Sequence, residues 1–259
     1  MLADARAVSL ATYFAILLFN VYTLSLYFNE QLTLYIHPRY VLFTVAFNAI
    51  SLIACGAGFV LTAWRMGGVS SASGIAVANR IPWRPSLTVL VAGLLLVAAY
   101  ALPARTLSSE TADQRSANFN SLQAQPAGGG ETPGGTLALF GADTSRLTVA
   151  DWALAFNLKA NPDAYVGKEV DVVGFVFHPK GTPEDVFYVS RFSVTCCAVD
   201  ARPLGLPVYR PGWQEEFDED SWVHVAGSFA ENDQEVAEPA IVSPQNVEPT
   251  EQPENPYVN

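Results

Sequence analysis

The charge and hydropathy of this 259-residue chain change sharply at Arg105. Residues 1–105 are mostly apolar and contain six arginines and two acidic residues, a balance of +4. Residues 106–259 contain eight basic and twenty-three acidic residues, a balance of −15, and the two parts sum to −11. This contrast predicts a membrane-inserted front part and an acidic soluble part. The acidity argues against nucleic acid as a partner, because its phosphates would be repelled.

Three uncharged stretches predict three transmembrane helices within the membrane region, residues 1–105. Each has about 20 residues, the length that a helix needs to cross the hydrocarbon core of a bilayer. They cover residues 9–28, about 40–64 and 86 to about 104. The first stretch is too long for the apolar region of a signal peptide and has no small-x-small cleavage site after it, so we interpret it as an anchor. Asn20 and Asn48 inside the spans either contact a partner helix or are tolerated amides.

The basic residues between the spans predict the orientation of the chain in a cell membrane. The loop between the second and third spans carries Arg65, Arg80 and Arg84 and no acidic residue, whereas the first loop carries Glu30 and Arg39. The positive-inside rule places the second loop in the cytoplasm. The N-terminus is then cytoplasmic, and the soluble part lies on the extracytoplasmic side.

The soluble part is predicted to be a mainly-β domain between a linker and a tail. Residues 106–145 are rich in Gly, Pro, Ser and Gln and indicate a flexible linker. Residues 146–245 begin with a helix capped by Thr148, and residues 246–259 are a proline-rich tail. Short strands are predicted at 169–177, 186–194, 206–209, 221–229 and 240–242. This pattern favours an OB-like barrel with a leading helix, and a β-sandwich fragment is the alternative.

Two adjacent cysteines form the candidate metal site. Cys196 and Cys197 follow a predicted strand and precede Asp200. Thiolates and a carboxylate suit zinc or copper, and His178 or His224 could complete the shell. Adjacent side chains on a strand point to opposite faces, so joint binding requires a turn directly after Val194. A strained vicinal disulfide and a purely structural role are the two alternatives.

Three further residues are candidates for contact with a substrate or a partner: His37, Arg39 and Arg191. His37 and Arg39 lie at the predicted outer membrane face. His37 could contact a substrate or a lipid headgroup, or it could serve as an interfacial anchor before a helix that starts at Pro38. Arg191 could pair with Asp200 or bind an anionic ligand, and the alternative is a structural ion pair with Asp171 or another acidic residue. No serine–histidine–aspartate arrangement or phosphate-binding loop occurs in the soluble part, so no enzymatic activity is predicted.

Several stretches together resemble a bacterial family of permease subunits, the YcgQ type. They occur in the first loop, after the third span and in the soluble part, at residues 35–39, 102–109, 165–176, 191–201, 222–227 and 255–258, together with Ala112 and Arg115. The Cys-Cys-x-x-Asp-Ala string at 196–201 is the most specific of them. The resemblance implies a non-enzymatic membrane protein that acts beside a separate multi-span permease subunit.

Overall fold

The computed structural model describes residues 2–67, 91, 93–94, 97–98, 100–101, 105–115, 144–158, 162–234 and 236–258. The chain divides into two compact units, residues 1–105 and 106–259. This division coincides with the change of charge at Arg105. Each unit is described by itself below.

Two long apolar helices make up most of the described part of the first unit. Helix α1 covers Leu2–Phe28 and helix α2 covers Pro38–Gly67, with a short 3₁₀ turn at Leu32–Leu34 between them. Both contain segments that could span a membrane by length and composition, Ser9–Phe28 and Pro38–Trp64. These segments agree with the first two predicted spans.

The third predicted span and the basic loop before it lie largely outside the described residues. Seven positions of the third span are described, all of them helical: Val91, Gly93, Leu94, Val97, Ala98, Tyr100 and Ala101. The Tyr100 ring lies 5.1 Å from the Tyr22 ring of α1. The third span and the orientation that it implies therefore stay predictions.

The two asparagines of the spans join α1 to α2. Asn20 is 4% exposed, and its Nδ2 donates to the Ser51 hydroxyl at 3.1 Å. Asn48 is 7% exposed, and its Nδ2 donates to the Asn20 carbonyl at 3.3 Å. A polar group in an apolar medium is costly unless it has a hydrogen-bond partner, and each amide finds one on the neighbouring helix.

The second unit is a closed five-stranded barrel. Its strands are β1 Glu169–Phe177, β2 Val186–Ser193, β3 Arg202–Tyr209, β4 Trp222–Glu231 and β5 Ala240–Pro249. Hydrogen bonding follows the closed order β1-β2-β3-β5-β4-β1, with β3 and β5 parallel and the other neighbours antiparallel. The predicted barrel is confirmed, and the sandwich alternative is wrong because the sheet closes on itself.

Helix α4, Val149–Leu158, is the leading helix and packs into the barrel core. Its start is a reciprocal cap in which the Asp151 amide donates to the Thr148 hydroxyl at 3.3 Å and the Thr148 amide donates to the Asp151 carboxylate at 2.8 Å. Trp152 is 1% exposed, and its ring lies 4.8 Å from the Phe229 ring of β4. The predicted cap at Thr148 is confirmed.

Gly174 lets β1 and β2 approach closely enough to close the barrel. A Cβ atom at this position would lie only 2.5 Å from the Ser190 carbonyl oxygen of β2. The residue therefore has a packing reason to be glycine, since any side chain would push the two strands apart. A register shift interrupts the β4–β5 ladder between Ala226 and Gly227 of β4.

Several elements extend beyond the predicted limits. Strand β3 begins at Arg202 rather than at 206, and β5 continues to Pro249 through the start of the predicted tail. The tail also contributes β6, Tyr257–Val258, which pairs parallel with β2. Within the predicted linker, Ser109–Arg115 forms helix α3, whose Ala112 is fully buried against the barrel. Residues 116–143 of that linker lie outside the described part.

Candidate functional site

The candidate site lies in the loop that joins β2 to β3, here called the thiol loop, residues 195–201. Asp200 holds this loop from within. Its Oδ1 accepts the Thr195 N–H at 3.0 Å, and its Oδ2 accepts the Cys196 N–H at 2.8 Å. The Asp200 N–H donates back to the Cys197 carbonyl at 3.0 Å, which closes a 3₁₀ turn at Ala198–Asp200. The chain therefore turns after Val194, as joint binding of one ligand by the two cysteines requires.

The thiol loop brings both sulfurs to one place. The Cys196 and Cys197 Sγ atoms lie 3.5 Å apart, with the first residue exposed and the second half-buried. Both cysteines are free thiols, because a disulfide would require about 2.05 Å between the sulfurs. Two thiols this close can act on the same ligand, which adjacent residues of a regular strand could not do.

Hydrogen bonding sets the charge of the thiol loop. The bond between the Cys196 thiol and Asp200 raises the pKa of Cys196 to about 12, and its bond to Cys197 adds to this. Partial burial alone would raise the pKa of Asp200, but the hydrogen bonds that it accepts from the Cys196 thiol and the loop amides outweigh burial and lower it. At neutral pH the carboxylate is therefore charged and the Cys196 thiol is protonated.

The two histidines named as further ligands are engaged elsewhere. His178 follows β1, with its Nε2 3.3 Å from the Pro183 carbonyl and its ring 5.6 Å from the Trp213 ring. His224 lies on β4 and pairs with Asp171 of β1 at 2.5 Å. Across the described residues, no group of three or more His, Cys, Asp or Glu side chains is placed to hold a metal ion. A metal ion bound by Cys196 and Cys197 would need further ligands from outside the described residues.

Arg191 is buried in the barrel wall rather than presented to solvent. It is 8% exposed and lies on β2, where its guanidinium donates to the carbonyls of Val173 at 3.3 Å and Asn255 at 2.7 Å. It also lies over the Trp222 ring at 5.1 Å. Burial lowers its pKa to about 10. The expected ion pair with Asp171 does not form, because Asp171 faces His224 and the carbonyls of β1 and the tail receive the guanidinium instead.

His37 and Arg39 lie at the start of α2. The Arg39 N–H donates to Nδ1 of His37 at 3.0 Å, and the His37 carbonyl accepts the Tyr40 N–H at 2.9 Å. His37 therefore caps a helix whose first residue is Pro38. Arg39 is exposed.

One residue that contacts the thiol loop was not among the predicted site residues. Arg115, the last residue of α3, donates from one guanidinium nitrogen to the Ala201 carbonyl at 2.5 Å and to the Ala198 carbonyl at 3.3 Å. It is 86 residues away from Ala201 along the chain. One pattern in the sequence could have indicated this residue. Arg115 follows Ala112 by three residues in a short polar segment, and residues three apart lie on the same face of a helix.

Comparison with known proteins identifies the barrel alone. Residues 144–259 contain a DUF1980 C-terminal domain, which belongs to an uncharacterised family. The matched segment includes α4, all six strands and the thiol loop, and it begins after α3. No curated protein and no solved structure matches the chain.

Proposed function

We propose that the protein is a non-enzymatic accessory subunit of a membrane permease. In this proposal the apolar helices anchor the chain, and an OB-type barrel works on the extracytoplasmic side. The two apolar helices, the basic second loop and the acidic second unit support this arrangement. The closed strand order with a parallel β3–β5 pair supports the OB type. The resemblance to YcgQ-type subunits supports a multi-span partner.

The barrel contributes the thiol pair to this function. The observation that carries the proposal is the pair of free sulfurs, one on an exposed and one on a half-buried residue, 3.5 Å apart on a loop that Asp200 holds in shape. Such a pair suits a soft or borderline metal ion such as zinc or copper, as cargo or as a regulatory ligand. Asp200 serves this site by ordering the loop, since both of its oxygens accept backbone N–H groups. The partner subunit or the substrate supplies the remaining ligands.

Metal binding is tested with the full chain in mild detergent. We expect the protein to take up zinc or copper at one ion per chain, measured by elemental analysis after gel filtration. The variant with Cys196→Ser and Cys197→Ser should lose the metal, and Cys55→Ser in α2 is the matched control that should keep it. Equal metal content in the wild type and the double variant would contradict the metal proposal.

The permease partnership is tested by purification from native membranes. A tagged full chain should bring down a multi-span membrane protein in mild detergent at a constant ratio. A chain that always runs alone under these conditions would contradict the accessory-subunit proposal.

A second candidate function is a thiol-based redox sensor that acts without a permease. The 3.5 Å separation of the two free thiol sulfurs favours this function, because a small movement would allow a strained and easily reduced vicinal disulfide. An oxidant should then remove two reactive thiols per chain, and a reductant should restore them. An unchanged thiol count would argue against this function.

A further inference from the structure

We propose that Arg115 is a positioning residue that holds the thiol loop so that both sulfurs face one ligand. The inference rests on the proposed function only in taking Cys196 and Cys197 as the ligand site. It assigns a role to α3, which lies outside the matched DUF1980 domain.

Arg115 and Asp200 hold the two ends of the thiol loop. Asp200 accepts the N–H groups of Thr195 and Cys196 at the beginning of the loop. Arg115 donates to the carbonyls of Ala198 and Ala201 at its end. Ala198 directly follows Cys197, so the two charged groups hold the backbone on either side of the thiol pair.

A guanidinium suits this task better than other side chains. It is planar, remains charged and carries several N–H donors in a fixed arrangement, so one group can serve two carbonyls. Hydrogen bonds from a charged donor are also stronger than neutral ones. A lysine would keep the charge but would act as a flexible point donor.

Arg115 comes from a helix that is itself fixed to the barrel. Ala112 is fully buried in a cluster with Phe192, Val194 and Ala201, the last of which is also a carbonyl partner of Arg115. At the start of α3, the Ser109 hydroxyl donates to the Asp220 carboxylate at 3.0 Å. Apolar burial and polar contacts therefore hold α3 independently of Arg115.

The position of α3 in the chain connects the Arg115 contacts to the boundary between the two units in sequence. The helix begins a few residues after the unit boundary at Arg105. A movement that pulls α3 away from the barrel would withdraw Arg115 and release the end of the thiol loop. The spacing of the two sulfurs then depends on the segment that links the two units in sequence.

The test uses a probe that requires both sulfurs at one spacing. Phenylarsine oxide reacts with two thiols, forming two arsenic–sulfur bonds and releasing one water without any change in oxidation state. Iodoacetamide alkylates one thiol and reports exposure alone. Both reagents are applied to the full chain in detergent with Cys55→Ser as the common background. Near-ultraviolet circular dichroism confirms that each variant is folded.

We expect Arg115→Ala to weaken arsenical binding about tenfold, roughly the worth of one hydrogen bond to a charged group. The alkylation rate should stay at or above that of the background protein. Arg115→Lys should restore part of the affinity. Lys180→Ala is the matched control, since it removes the ion pair between Lys180 and Asp113 of the same helix without touching the thiol loop.

If folded Arg115→Ala binds the arsenical as tightly as the Cys55→Ser background protein does, the proposal is overturned. If that variant does not fold, Arg115→Lys provides the test. An arsenical affinity of the lysine variant equal to that of the Cys55→Ser protein would also overturn the proposal. An equal loss in Lys180→Ala would overturn it as well, since α3 would then act only through its packing. The metal proposal can fail separately, because the arsenical reports the sulfur geometry whether or not zinc or copper binds.

Discussion

A buried hydrogen-bonded pair shows how one residue makes the barrel sensitive to pH. Glu238 is 5% exposed and accepts a hydrogen bond from the Tyr188 hydroxyl at 2.6 Å. Burial raises the pKa of Glu238 and outweighs the opposite effect of the Tyr188 bond. Burial also raises the pKa of Tyr188, and the negative charge of Glu238 adds to this, so the phenol remains a donor. The carboxylate form of Glu238 therefore destabilises the folded state.

The sign of this effect predicts the pH dependence of stability. Because the folded pKa of Glu238 is raised, its contribution is fully present below the usual glutamate pKa of about 4.3 and is lost as pH rises through the folded pKa. We expect Glu238→Gln, which can still accept the Tyr188 bond, to be more stable than the wild type at pH 8. A gain of about 1 kcal/mol would raise Tm by roughly 2–4 °C.

Thermal melts of both proteins at pH 4.5 and pH 8 measure this difference. The gain should shrink at pH 4.5, because the raised pKa of Glu238 favours the protonated wild-type carboxyl as the pH falls. Glu231→Gln, at an exposed position of β4, is the control. A gain of equal size at both pH values would contradict the assigned role of Glu238.

At the scale of elements, the chain end belongs to the barrel. Tyr257 of β6 is 3% exposed and packs in the cluster that contains Ala112 of α3 and Phe192 of β2. Arg191 adds donors to the carbonyls of Asn255 and Tyr257. The prolines of the tail lack backbone N–H donors. A buried arginine and one aromatic ring therefore add to the pairing of β6 with β2 in holding the tail in place.

Removing the aromatic ring should therefore weaken the whole barrel. We expect Tyr257→Ala to lower the free energy of unfolding by about 3 kcal/mol, the low end for a buried large aromatic residue. Tyr209→Ala on β3 is the control, because Tyr209 is 36% exposed and should cost about 1 kcal/mol or less. Urea unfolding of the full chain measures both. Equal losses would show that the tail does not contribute to the barrel.

At the scale of the whole molecule, the second unit contains a complete hydrophobic core of its own. The main cluster includes Trp152, Tyr165, Phe187, Trp213 and Phe229, all within residues 106–259. The acidic surface of this unit favours solubility when it is separated from the apolar first unit. The barrel should therefore fold without the two apolar helices.

A fragment of residues 106–259 should unfold cooperatively and show a near-ultraviolet circular dichroism signal from the buried Trp152 and Trp213. A fragment of residues 144–259 should be less stable, because it lacks α3 and exposes the surface that Ala112 covers. Thermal melts of the two fragments measure the difference. Equal stability would contradict the packing of α3, and a missing near-ultraviolet signal in the longer fragment would contradict independent folding.

Local patterns were sufficient for much of this architecture. The bounds of β1 follow from a run of β-branched and aromatic residues at 169–177, and the start of α4 follows from Thr148 as a cap. The two long apolar helices follow from the lengths of uncharged stretches. The start of β3 and the end of β5 were missed because their pairing to other strands, rather than local composition, extends them.

The sequence by itself determined the two-part organisation, the first two apolar helices, the leading helix and the barrel class, because length, charge and periodicity are properties of neighbouring residues. Only the tertiary structure decided the surroundings of the thiols. It directed Asp200 to the backbone of its own loop, directed Arg191 to the carbonyls of β1 and the tail, and brought Arg115 to the loop from 86 residues away. The reason is that a hydrogen bond depends on the distance between two atoms in space, which the folded chain sets and residue order alone does not.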